Sequence, residues 1–266
     1  MLESDSMRGL WLLILVFVFS GCGYFQNETS EQKAESKWPE DRLYRAAKDR
    51  LDGGECSGAI EYYEKLSARY PFGIYTQQSQ LELAYCYYRT EDPEQALSTI
   101  DRFMKMHPSH PHAAYAYYLR GLINFGRGYG LTERFLPKDP SQRDPGASLQ
   151  SFNDFSDLIS SFPESIYVED ATLRMRYLRN ILAQHEVNVA NWYMRRGAFV
   201  AAANRARYVV ENYQQAPAMP DALFLMAKSY RVLELEELAE DALRILELNY
   251  PGHPGIQHVQ EVTVKE

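Results

Sequence analysis

The sequence predicts an all-α fold: a superhelix of about five helix-turn-helix repeats, with insertions in the central repeats. Three observations carry that prediction. Five segments end alike, in ARYPFG from Ala68, KMHPSH from Lys105, SSFPES from Ser160, ENYQQA from Glu211 and LNYPGH from Leu248. Eleven positions before the aromatic or His of each ending stands a small residue: Ala59, Ala96, Ser151, Ala202 and Ala239. The composition agrees, because 20 Tyr and 12 Phe against 15 Gly and 13 Pro are too many large side chains and too few turn formers for a strand-rich sandwich.

Each small residue opens one apolar helical face. Four positions on come Tyr63, Ile100, Phe155, Ala206 and Leu243, and three further Leu66, Phe103, Leu158, Val209 and Leu246, a helical period. A first helix precedes each, marked by a small residue with Tyr three later at Ala84/Tyr87, Ala190/Tyr193 and Ala227/Tyr230, and more weakly at Ala47 and Gly121. Small side chains let two antiparallel helices approach, aromatics fill the space above them, and Pro stops the second helix because it lacks an amide donor. That is the tetratricopeptide pattern.

Taken in chain order, residues 1–21 read as a lipoprotein signal peptide. Leu10 to Phe19 is an apolar run too short to span a bilayer, and F-S-G-C at Phe19 to Cys22 places small residues before a cysteine. Cys22 is the expected attachment point for an S-diacylglycerol and an N-acyl chain. Met7 is a better initiator than Met1, since it removes Glu3 and Asp5 from a region that should be positive. Residues 22–39 are polar and read as a lipidated tether. Residues 40–128 hold an N-terminal half, comprising repeats one and two and the first helix of repeat three. An inserted loop at 129–146 carries Pro137, Pro140 and Pro145 and cannot be one helix. Residues 147–252 hold the C-terminal half, in which Tyr167 to His185 lengthens a helix, and 253–266 form a tail with no assigned place. Gly23 after Cys22 suggests, by resemblance to Gram-negative lipoproteins, the periplasmic face of the outer membrane.

The chemistry the sequence lacks is also informative. A net charge of −8, or −7 once residues 1–21 are gone, opposes nucleic acid as a partner. No G-x-S-x-G, H-E-x-x-H, C-x-x-C or Walker loop occurs in the sequence, and neither an enzyme nor a non-covalent cofactor is expected. His107, His110 and His112 are close enough to suggest a metal, but His107 occupies the aromatic slot of its repeat and no metal is expected. Cys56 and Cys86 read as two buried thiols, although an oxidising compartment permits a disulfide. The first helices line a concave face whose register in repeats two and three includes Gln78, Tyr85, Tyr88, Arg89, Tyr115, Tyr118 and Phe125. Such a wall offers an extended peptide stacking area and hydroxyls. The alternative for each tyrosine is packing inside the superhelix.

Four strings go beyond the generic repeat: RYPFGIYTQQSQLELAYCYY (Arg69 to Tyr88), DRFMKMHPSHPHAAYAYYLRGL (Asp101 to Leu122), RDPGASLQSFNDFSDLISSFPESIY (Arg143 to Tyr167) and RRGAFVAAANRARYVVENY (Arg195 to Tyr213). They resemble the BamD (ComL/YfiO-type) family, the tetratricopeptide lipoproteins of the outer-membrane β-barrel assembly (Bam) machinery, over roughly residues 38–252. The resemblance implies a non-enzymatic subunit that binds the POTRA domains of BamA through its C-terminal repeats, works beside other Bam lipoproteins, and meets unfolded β-barrel precursors through its N-terminal repeats. Carried over residue by residue, Asn204, Arg205, Arg196 and Tyr208 would face BamA. The Phe72 to Tyr75 turn and the groove of Gln78, Tyr85, Tyr88, Arg89, Tyr115, Tyr118 and Arg120 would meet the precursor. The other reading of Arg205 is a bond within its own helix pair. The rival function is a scaffold lipoprotein for pilus, secretin or cell-wall machinery on the same repeats.

Overall fold

A computed structural model describes residues 37–127 and 139–260; the anticipated signal peptide, Cys22 and the tether up to residue 36, residues 128–138 with the first part of the 129–146 insertion, and the last six residues lie outside the described residues. Five helix pairs follow one another: α1 (Glu40–Asp52) with α2 (Cys56–Arg69), α3 (Thr76–Arg89) with α4 (Pro93–Met106), α5 (Ala113–Arg127) with α6 (Gly146–Ser161), α7 (Val168–Arg195) with α8 (Phe199–Asn212), and α9 (Met219–Val232) with α10 (Glu236–Asn249). A short α11 (Gly255–Gln260) follows, and no strand occurs among the described residues. Each helix packs on its successor, the arrangement of a solenoid.

The sequence register is the core. Ala59, Ala96, Ser151, Ala202 and Ala239 are all fully buried, as are Leu66, Phe103, Leu158, Val209 and Leu246. Gly121 shows why the small positions are needed: a Cβ there would lie 2.5 Å from Cε1 of the buried Phe155. Ser151 answers from the facing helix, donating its hydroxyl to Gly121 O at 2.9 Å. The recurring aromatic or His caps each second helix. The N–H groups of Tyr70, His107, Phe162, Tyr213 and Tyr250 donate to the carbonyls of Leu66, Phe103, Leu158, Val209 and Leu246 at 2.8–2.9 Å.

The turns inside the pairs use one backbone device. Gly54, Glu91, Gly197 and Glu234 all have positive φ (79°, 61°, 74° and 59°) just before a second helix begins. Glycine fills two of these left-handed positions, and glutamate accepts strain at the other two. Asp92 then caps α4, accepting from Gln95 N at 3.2 Å, with Pro93 in the first turn.

Two features of the C-terminal half are settled by contacts the sequence did not disclose. The described end of the insertion forms a 3-10 turn (Pro140–Gln142) clamped on the middle of α7. Asn188 donates to Ser141 Oγ at 2.9 Å and His185 Nδ1 lies 2.9 Å from Ser141 O, so the extra length of α7 gives the insertion a seat. The tail also has a place. α11 packs against α9 and α10 with Val259 fully buried, which makes 252 too early an end for the folded unit. Among the described residues Cys56 and Cys86 are free thiols. Only Cys86 is buried, and burial, with the Cys56 thiol beside it, pushes its pKa up.

Candidate peptide groove and partner face

A concave pocket of ≈ 270 Å³ opens between α1, α3, α5 and the start of α7, lined by Lys48, Leu51, Gln78, Leu81, Glu82, Tyr85, His112, Tyr115 and Tyr167. Three predicted groove residues, Gln78, Tyr85 and Tyr115, are among them. Glu82 forms the floor. Its nearly buried carboxylate accepts from Tyr63 OH at 2.7 Å, Gln78 Nε2 at 3.1 Å and Tyr44 OH at 3.5 Å, with Lys48 Nζ at 3.3 Å. Burial, and then the Glu82 charge, push the Tyr44 phenol up to about 12. A charge so fully partnered makes the floor polar without leaving it reactive.

The wall continues past the pocket. Tyr118 stacks on Tyr167 with centroids 4.7 Å apart and donates to Asp170 Oδ2 at 2.7 Å. Burial first, then that bond, raise its pKa to about 12, while Arg174 and Tyr118 lower Asp170 against the effect of burial. Tyr75 stacks on Tyr44 at 4.7 Å, and Arg89 donates to Tyr85 OH at 2.8 Å. Tyr88 packs against the N-terminal core, as Tyr75, Tyr85 and Tyr115 also do in part, and Phe125 lies beside Tyr177.

Of the predicted precursor contacts only Gln78, Tyr85 and Tyr115 line the pocket, and Arg120 and Phe72 lie well clear of it. Arg120 turns towards the second helices, where it lies 2.8 Å from buried Asp154, 3.5 Å from Asp101 and 3.6 Å from Asp157. Its guanidinium ties α4, α5 and α6 together because Asp154, also held by Asn124 at 2.7 Å, needs a counter-charge; burial still raises the Asp154 pKa. Phe72 stands in solvent outside the pocket, 92% exposed. The sequence reasoning missed Glu82, Lys48, His112 and Tyr167. Only Tyr167 left a signal, since IY at Ile166–Tyr167 repeats IY at Ile74–Tyr75 before the next first helix.

The predicted partner residues lie exposed on the second half of the array. Asn204, Arg205 and Tyr208 share one face of α8, with Arg196 at the end of α7. Arg205 Nη1 donates to Glu186 Oε2 at 3.1 Å, a bond within its own helix pair that leaves half of the side chain in solvent. The Arg196 guanidinium lies over the exposed Trp192, 4.2 Å from the ring centroid. Tyr208 meets Tyr213 edge-on at 5.7 Å, and Asn204 Oδ1 accepts from Arg207 at 3.2 Å. Exposed Trp, Tyr and Arg held in place by neighbours have the composition of an interface centre.

Residues 36–246 match the profile of the YfiO family, described as outer membrane lipoprotein. The chain belongs to this family. Relatives agree over nearly the whole length. The protein of Neisseria gonorrhoeae named outer membrane protein assembly factor BamD is 36% identical over 92% of this chain and 91% of its own. The BamD of Xylella fastidiosa strain Temecula1 is 37% identical over 92% of this chain and 83% of its own, and that of Vibrio cholerae 33% over 93% and 99%. Among solved structures, PilW, a type IV pilus biogenesis factor, covers 83% of the chain and 98% of its own at 16% identity and a TM-score of 0.34, a likeness too slight to favour the pilus reading. Membership in the family associates the chain with the outer membrane.

Proposed function

We propose that this protein is a non-enzymatic, lipid-anchored subunit of the outer-membrane β-barrel assembly machinery on the periplasmic face. The observation that carries the reading is the match to assembly factors over nine-tenths of the chain. This reading divides the labour between the two halves of the array. The tyrosine-walled groove of the N-terminal repeats, with room for one or two side chains and a polar floor, receives an unfolded precursor in extended form. The exposed Asn204, Arg205, Tyr208 and Arg196 face, beside Trp192, receives a POTRA domain of BamA, with Arg205 offering its solvent side to a partner carboxylate. Cys22 carries the acyl chains, and other Bam lipoproteins share the complex.

Gentle-detergent pull-down of the acylated protein from its native membrane, with Arg205→Glu alongside, tests the partner assignment. A POTRA-bearing barrel protein retained by the wild type and lost by the variant is expected; a secretin or pilus subunit in its place would overturn the function. For the groove, Tyr115→Ala with Tyr118→Ala should abolish crosslinking of a precursor's C-terminal peptide in a folded protein. Undiminished crosslinking would remove the precursor from this wall.

A further inference from the structure

The turn between α2 and α3 raises its two apolar side chains into solvent, Phe72 at 92% and Ile74 at 83% exposure. It is held rigidly in that position. Glu40 Oε1 accepts from Tyr75 N at 2.9 Å, Thr76 Oγ1 donates to Tyr70 O at 2.5 Å, and the Glu40 carboxylate occupies the space a Cβ on Gly73 would need. This turn is also where the chain enters the fold, because Tyr70 OH donates to Trp38 O at 3.1 Å. Antiparallel pairing places the ends of all second helices on this same edge. Ile166, after α6, is 86% exposed, and Leu248, near the end of α10, is 80% exposed. The four most exposed large apolar side chains among the described residues therefore share the edge from which the N-terminal segment departs.

Two neighbouring apolar side chains held out in water on one turn gain free energy if an apolar medium covers them. We infer that a lipid surface covers them: the Phe72–Ile74 turn dips into the boundary between headgroups and acyl chains of the membrane that carries the anchor. The position argues for lipid over protein. The described chain begins at this turn, with Trp38 held by Tyr70, so an acylated Cys22 leads into the fold from this edge. An aromatic residue and a cation stand beside the turn, the Arg42 guanidinium lying over the Trp38 ring at 4.1 Å, an amphipathic pairing of the kind found at membrane interfaces. Two apolar side chains add a second, reversible attachment to the covalent one and fix how the array tilts. This inference rests on the acylated Cys22 of the proposed function.

A photoreactive benzoylphenylalanine at position 72 of the full-length protein, illuminated in native membranes, tests it, with position 200 as control. Val200 is 60% exposed but stands at the opposite edge, beside the turn into α8. A phospholipid adduct at 72 and none at 200 is expected. Protein adducts alone at 72, or lipid adducts at both positions, would overturn the inference. Acylation is read separately from the mass of the N-terminal peptide, so an unmodified Cys22 would defeat the anchor while the adducts judge the edge. In addition, mature Cys22→Ala protein mixed with phosphatidylethanolamine–phosphatidylglycerol vesicles should lose roughly tenfold in partitioning on Phe72→Asp with Ile74→Asp. Equal partitioning by a variant with unchanged melting would contradict the inference.

Discussion

Reversing the charges of the Arg205–Glu186 pair separates a partner contact from an internal one. The two atoms lie 3.1 Å apart, with the arginine side chain 49% exposed and the glutamate 14%. A pair so open to solvent contributes at most ~1 kcal/mol to folding. Arg205→Glu forfeits that and sets two carboxylates against each other, for a total loss of about 1–2 kcal/mol, or a few degrees in melting temperature. A charge paired across an interface behaves differently: truncating one partner costs roughly 2–5 kcal/mol of affinity, at least about thirtyfold. Arg205→Glu should therefore nearly abolish retention of the POTRA-bearing partner while melting only slightly early. The double variant Arg205→Glu with Glu186→Arg restores the internal pair with its polarity exchanged. Its thermal stability should return, and its partner retention should not. Thermal melts and quantitative pull-down on the same three proteins make the measurement. Recovery of both properties in the double variant would refute the reasoning and leave Arg205 a purely internal residue.

The close approach at Gly121 gives a second expectation. Gly121→Ala drives a methyl into Phe155, and overpacking of ~1–3 kcal/mol, offset by about 1 kcal/mol of helix propensity, should leave a net loss of up to about 2 kcal/mol in chemical denaturation; Phe155→Leu in the same chain should recover part of it. Conversely, Glu91→Gly and Glu234→Gly relieve left-handed residues and should each stabilise by about 0.5–1 kcal/mol, additively in melts because they lie in different repeats. Asp154→Ala removes the buried carboxylate that holds Asn124 and Arg120, and should cost about 3 kcal/mol in denaturant titration even though Asp101 and Asp157 remain beside the guanidinium. Tyr44 and Tyr118 bind their protons more tightly folded than unfolded, so their contribution is complete below pH 10 and is lost as pH rises towards about 12. Phenolate absorbance should show the delayed titration, and Tyr44→Phe with Tyr118→Phe should flatten the fall in stability over that window.

The repeating part of the core was legible in the sequence, while first-helix residues such as Leu81, Leu119, Leu182 and Leu223, equally buried, were not singled out. The small residue, the apolar position four later and the next three beyond it recur at helical spacing, and the structure buries every member of that register, from Ala59 and Leu66 to Ala239 and Leu246. Periodicity sufficed there because a helix must turn one face inward wherever its partner sits. The same reasoning placed Gln78, Tyr85 and Tyr115 on the concave side. It failed where the answer depended on residues distant in the chain. Arg120 lies in the predicted groove segment, yet Asp154, thirty-four positions on, claims it because a buried carboxylate cannot stay uncompensated. Glu82 looks like any helix glutamate until Tyr44, Tyr63 and Lys48 converge on it. Tyr167 joined Tyr115 and Tyr118 only because α7 begins beside α5. Sequence alone determined that this protein is a stack of helix pairs with a tyrosine-rich first-helix face, since local spacing and close packing demand it. Tertiary structure decided which tyrosines remain open to a ligand, which arginine is consumed inside, and which edge carries the exposed Phe72 and Ile74. Those outcomes are set by partners brought together across repeats, and one stretch of sequence does not contain them.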